Sequence, residues 1–279
     1  MRSRNRRKAS ILIYIVCIIL AVLSILPFWI MIVNATRSTV QIQSHAISLI
    51  PSTHIMNNFK VLTGKTFNPF TGFLNSVVIS TGATALSVYF STLTAYALVA
   101  YEWKMRQPFF TMILAVMMIP TQVISIGFYQ FMYRIGMTNN MLALILPAIA
   151  APMTVFFMRQ YMLPSLNLDI VASARIDGAG EFRTFNSIVM PIMKPAMATQ
   201  AIFTYVTSWN NLFLPMILLT KKENYTMPIM VSLLKGDIYK TEYGAVYLAL
   251  ALSVLPLFIV YFALSKYIIA GVALGSVKE

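Results

Sequence analysis

Two stretches of this chain carry side chains spaced as if for a task. The first reads Leu168-Asp169-Ile170-Val171-Ala172-Ser173-Ala174-Arg175-Ile176-Asp177-Gly178-Ala179-Gly180-Glu181-Phe182-Arg183, with Ile188-Val189-Met190-Pro191 following. Residues 172–176 favour a helix, Asp169 near its start suits the helix dipole, and Gly178 breaks or bends it. Small residues on one side and a glycine at the end let a partner backbone approach closely; an ordinary solvated connector would look similar. The second stretch places Thr204, Ser208 and Asn211 at i, i+4 and i+7, one face of a helix, and Thr207 and Asn210 widen that strip.

Neither stretch is equipped for covalent chemistry. No Ser/His/Asp set or pair of clustered carboxylates accompanies them. His45 and His54 are the only histidines, and no further ligand converges on their loop, so they read as loop residues rather than a metal site. Cys17 is the single cysteine and lies in an apolar run, which excludes an intramolecular disulfide and a cysteine-based metal centre. Gly64-Lys65-Thr66 imitates the end of a phosphate loop, but Phe59 stands where that loop needs a glycine.

The elements that must position these stretches follow from composition. Of 279 residues, 58% are hydrophobic and only 10% are charged. A soluble domain carries roughly a quarter charged residues. So few charges cannot cover a water-facing surface, and most of the outside must face lipid. Six apolar stretches suit an all-α integral membrane protein, at about 10–33, 73–100, 109–132, 141–157, 188–219 and 246–269. They divide the chain into a basic tail over 1–9 and one membrane domain over 10–279, with a connecting loop over about 158–187. The first apolar region is about 24 residues long, against roughly 7–15 in a cleaved signal. It is an anchor.

Arg2, Arg4, Arg6, Arg7 and Lys8 precede that anchor, which puts the N-terminus in the cytoplasm; an even number of spans brings the C-terminus there too. The inside segments then hold 13 of the 21 Lys and Arg. The net charge of +13 is scattered between apolar blocks, a pattern of membrane orientation rather than nucleic-acid binding. All eight carboxylates lie outside the six spans: Glu102, Asp169, Asp177, Glu181, Glu223, Asp237, Glu242 and Glu279. Ion-coupled carriers place such groups within the bilayer. An independent secondary carrier and a membrane-embedded enzyme are therefore the weaker alternatives.

The loop resembles the EAA loop of binding-protein-dependent ABC importer permeases. The segments Ala174-Arg175-Ile176-Asp177-Gly178-Ala179 and Ile188-Val189-Met190-Pro191-Ile192-Met193-Lys194-Pro195-Ala196 are especially similar to the MalG-like subunits of the carbohydrate branch. Two further runs match: Thr94-Ala95-Tyr96-Ala97-Leu98 before a basic turn, and Ser208-Trp209-Asn210-Asn211 ahead of Leu214-Pro215. The likeness covers nearly the whole chain. It implies the six-helix type I importer fold, with Ala172, Ser173, Ala174, Asp177 and Gly178 forming a cytoplasmic coupling helix. It also implies a second permease as heterodimer partner, two ATPase subunits that hold ATP and Mg, an extracytoplasmic solute-binding protein, a sugar cargo and a bacterial cell membrane. This chain itself would bind no cofactor or metal. One departure stands in the triplet. The family's glutamate falls at Ala172 and its first alanine at Ser173, so the ion pair that glutamate makes with the ATPase is missing. Small-residue packing and Gly178 would make the joint instead.

For the polar strip Thr204, Thr207, Ser208, Asn210 and Asn211, two uses fit: the wall of a translocation path, or glue between helices. Trp209, with Tyr205 one turn earlier, offers a ring to stack on a sugar and equally suits packing.

Overall fold

Prolines and short polar runs decide where the predicted spans stay whole and where they break. A computed structural model describes residues 2–64, 68–234 and 241–276, with side chains described over 11–64, 68, 70–234 and 241–265. In chain order the helices are α1 (Arg2–Ala35), α2 (Thr39–Ser44), α3 (Ile55–Thr63), α4 (Pro69–Ala100), α5 (Arg106–Met117), α6 (Thr121–Arg134) and α7 (Leu142–Ile145). There follow α8 (Pro152–Ser165), α9 (Leu168–Ile176), α10 (Glu181–Thr184), α11 (Met190–Trp209), α12 (Phe213–Leu218), α13 (Met227–Leu233) and α14 (Tyr243–Ser276). The described residues form no strand. Lys65 and Thr66, the phosphate-loop echo, lie outside the described residues.

Among the described residues, four stretches are long and apolar enough to cross a membrane: Ile11–Ala35, Phe70–Ala100, Leu142–Ser165 and Tyr243–Ser265. The predicted span over 109–132 is not one rod. It is the pair α5 and α6, bent by 98°. The last N–H groups of α5 close tight turns, Met118 to Ala115 and Ile119 to Val116, and Pro120 then has no N–H to continue the ladder and forces Ile119 out of helical geometry. The fourth span does not stop at 157 but runs on to Ser165, because buried Met158 and Met162 keep it packed. The connecting segment predicted over 158–187 shrinks accordingly, and Arg159 sits inside a helix. The fifth span also starts earlier. Residues 181–209 wind continuously through α10, a π turn at Phe185–Val189 beside Pro191, and α11. The 20 residues of α11 reach about 30 Å. Lys194, Gln200 and its Thr and Ser residues leave it less apolar than the four.

Where one domain over 10–279 is expected, the chain divides into two compact units, Met1–Pro69 with Met230–Leu255 and Phe70–Ile229 with Pro256–Glu279. In the first, Arg37 is 8% exposed and its guanidinium donates to Asn34 Oδ1 (3.1 Å) and to the carbonyls of His45 (2.7 Å) and Gln41 (2.9 Å). Asn58 Nδ2 donates to the carbonyls of Ala35 (2.8 Å) and Arg37 (2.9 Å). Gly244 of α14 lies directly on this knot, where a Cβ would stand 2.4 Å from the Arg37 carbonyl oxygen. The second histidine, His54, exchanges a contact of 3.2 Å with Ser52 Oγ.

In the second unit, Tyr96 of α4, Met158 and Met162 of α8, Val171 of α9, Phe185 and Val189 of the π turn and Met193 of α11 form one buried cluster. At its other end Asn139, in a left-handed conformation (φ 58°), joins two loops. Its Oδ1 accepts from the N–H of Thr220 (3.1 Å) and Lys221 (2.9 Å), and its own N–H donates to the Leu218 carbonyl (2.7 Å).

Candidate functional site

α9 is held on one side and exposed on the other. Asn167 caps it, its Oδ1 accepting from the Asp169 N–H at 2.9 Å, which satisfies one of the first-turn donors. At the far end Gly178 takes φ 78°. Its N–H bonds the Arg175 carbonyl (3.0 Å) and the Ala179 N–H bonds the Ala174 carbonyl (2.9 Å). These are the two bonds of a Schellman cap, which needs a residue tolerant of positive φ. Val171 and Ala174 face inward and are buried, whereas Ala172, Ser173, Asp177 and Gly178 are exposed. Of the five predicted coupling residues, four therefore present themselves outward and Ala174 packs within the chain. Ile176 is 86% exposed and Phe182 72%. Both are large apolar side chains left uncovered by the rest of the chain beside this short helix.

The feature invisible in the sequence is a clamp on that helix. Arg175 donates to Glu181 through Nε (2.7 Å) and Nη2 (3.3 Å), and its guanidinium lies 5.1 Å from the centre of the Tyr101 ring. Tyr101 donates its hydroxyl to the same carboxylate, and Tyr96 reaches it at 3.4 Å. The hydrogen bonds from Arg175, then that from Tyr101, hold the Glu181 carboxyl below the usual carboxylate range. Burial first, then its bond to Glu181, raises the Tyr101 phenol. One carboxylate thus ties α9 and α10 to the end of α4. Beside it opens a cleft of about 530 Å³, walled by Tyr96, Tyr101, Trp103, Phe182 and Phe185.

The second predicted stretch is split by the fold. Trp209 is only 2% exposed, stacked on Tyr205 (5.9 Å between centroids) and edge-on to Phe73 (5.8 Å), so its face is spent on packing. Asn211 Oδ1 accepts from the Leu214 N–H at 3.3 Å, a local bond to the first turn of α12. Thr204 and Ser208 are half-buried, while Thr207 and Asn210 are exposed, in register with exposed Phe203 at i, i+4 and i+7. α11 ends at Trp209 and α12 restarts at Phe213, with Pro215 in its first turn, where a missing N–H is tolerated. Asn210 is exposed at this break between α11 and α12.

The family model described as "Binding-protein-dependent transport system inner membrane component" matches residues 87–273, which include α9, its clamp and the broken helix. The chain belongs to this family. Members are inner-membrane components of transport systems, so this is a multi-pass membrane transport subunit and not an enzyme. An arabinooligosaccharides transport system permease protein, AraQ, of Halalkalibacterium halodurans is 34% identical over 279 residues, covering 98% of this chain and 99% of its own. A lactose transport system permease protein, LacG, of Rhizobium radiobacter is 31% identical over 278 residues and covers 100% of both. A chain from the crystal structure of a bacterial ABC transporter that imports the acidic polysaccharide alginate superposes with TM-score 0.78 at 22% identity, covering 95% of this permease and 98% of that chain. It shares the all-helical importer permease fold.

Proposed function

We propose that the chain is one of two permease subunits of an ATP-driven importer for sugars or oligosaccharides. The observation that carries this is α9, clamped from within by Glu181 and capped by Gly178, presenting Ala172, Ser173, Asp177 and Ile176 outward in a permease of this family. Of the two ATPase subunits, which hold ATP and Mg on the cytoplasmic side, one seats on that surface. Their closure on ATP pushes the helix and, through the clamp, the end of α4. Both termini are cytoplasmic, the chain lies in a bacterial cell membrane, and a solute-binding protein delivers cargo from outside. A sugar cargo is supported by the names of the relatives, which handle arabinooligosaccharides and lactose. The path runs past Thr207 and Asn210, between this subunit and a second, different permease.

The test is uptake of labelled oligosaccharides into proteoliposomes holding this chain, the second permease, the ATPases and the binding protein. Uptake that needs both ATP and the binding protein is expected. Uptake driven by a proton or sodium gradient without ATP would overturn the proposal. Orientation is checked by single-cysteine labelling in a Cys17→Ser background. Exposed Asn57 should react from outside and exposed Ile176 should not.

A further inference from the structure

The α5–α8 pair holds two guanidinium groups and no anion to answer them. The helices pack through Phe110, Val155 and Phe156. Arg106 lies one turn before Phe110 on α5, and Arg159 one turn after Val155 on α8, so both cations sit at the same end of the pair. The Arg159 guanidinium carbon is 4.1 Å from the centre of the Phe110 ring, and its buried Nε has no hydrogen-bond partner. Arg106 Nη1 reaches only the Tyr101 carbonyl, at 3.5 Å. Among the described residues the ion pairs are Arg175–Glu181 and Lys221–Glu223, so neither arginine is paired, and Glu102 in the neighbouring turn pairs with neither.

A cation within a membrane helix almost always faces a group of opposite charge. We infer that Arg106 and Arg159 hold the phosphate of an anionic phospholipid at the end of the α5–α8 pair. Exposed Trp103, packed on Phe109 at 5.8 Å, marks the headgroup level, where tryptophans collect. From that level Phe109, Met112 and Val116 run down α5 at i, i+3 and i+7, all exposed. They give acyl chains a surface continuous with the two cations. A free phosphate or a partner's carboxylate would use the arginines and leave that stripe idle; a lipid uses both.

Native mass spectrometry of the detergent-purified full chain tests this with dioleoyl phosphatidylglycerol, dioleoyl phosphatidylcholine and glycerol 1-phosphate. Phosphatidylglycerol should bind at least about tenfold more tightly than phosphatidylcholine, as two basic contacts near the surface would give. Excess glycerol 1-phosphate should not displace it. Arg106→Gln with Arg159→Gln should bring both lipids to the same affinity, and Arg159→Lys should keep more of the preference than Arg159→Gln. Arg106→Gln alone, at a half-exposed position that leaves the Phe110 contact intact, should weaken phosphatidylglycerol several-fold. Equal binding of the two lipids by the native chain, or an unchanged preference in the double variant, would overturn the inference. Displacement by glycerol 1-phosphate would assign the site to soluble phosphates instead. Loss of the preference on adding the partner subunits would assign the arginines to a partner's carboxylate.

Discussion

Replacing Glu181 by Gln keeps the size of the clamp residue and removes its charge. The native carboxylate accepts two bonds from Arg175 and one each from Tyr101 and Tyr96. The ion pair is 39% and 49% exposed on its two sides, so solvent screening limits it to about 0.5–1 kcal/mol. The Tyr101 hydroxyl adds about 1 kcal/mol as a charge-assisted bond at a half-exposed site. The variant should therefore loosen α9 by about 1–2 kcal/mol, which is roughly a five- to thirty-fold rise in its local opening. Hydrogen exchange at the amides of residues 172–177 reads this directly, with the amides of α4 as an internal reference. Because the Glu181 carboxyl is held low in the folded chain, its contribution is present above the ordinary glutamate range and is lost as pH falls through the lowered value. Protection of α9 should then be flat between about pH 5 and 8 and decline below about pH 4. Unchanged exchange in Glu181→Gln would refute the clamp, as would an equal change throughout α4.

Gly244→Ala forces a Cβ to 2.4 Å from the Arg37 carbonyl and 2.5 Å from the Asn58 amide, so the purified chain should melt several degrees lower; an unchanged melting temperature would show that this contact relaxes freely. Asn139→Ala removes the acceptor for Thr220 and Lys221 and puts alanine at positive φ, at a cost of about 2–3 kcal/mol. Limited proteolysis near 219–224 should accelerate, and Asn139→Gly should recover the backbone part of the loss. Thr207→Leu and Asn210→Leu should reduce uptake with normal assembly, whereas Asn211→Leu should cost about 1 kcal/mol of stability as a lost local bond; a large uptake defect from Asn211→Leu alone would reverse those roles.

How much of this was legible in the sequence depended on range. The anchor over α1 and the long α4 and α14 were read from apolar runs alone, and the glycine after α9 from residue type and position. The 98° bend between α5 and α6 was only half legible. Pro120 announces a break, but proline alone does not give its angle, which tertiary packing sets. The role of Glu181 is not legible in the sequence because its partners Tyr101 and Tyr96 lie 80 and 85 positions away. The strip at 204–211 was read as one face, yet neighbouring helices divide it. Trp209 meets Phe73, Asn211 turns back on α12, and only Thr207 and Asn210 remain outward. By sequence Arg159 falls in the connecting loop over 158–187, yet α8 outlasts its apolar run, carried by Met158 and Met162.

The central claim is that α9 transmits ATP-driven motion into this subunit, and Gly178→Trp tests it most directly. Among the described residues, none beyond its chain neighbours lies within 4 Å of a Cβ at Gly178, so the side chain projects outward while the spans keep their packing. Positive φ (78°) adds about 1–2 kcal/mol of local strain at the end of α9. In proteoliposomes of the complete importer, the account predicts that sugar uptake and the ATP hydrolysis stimulated by loaded binding protein are both lost, with the variant chain still folded and inserted. Native levels of both would contradict it.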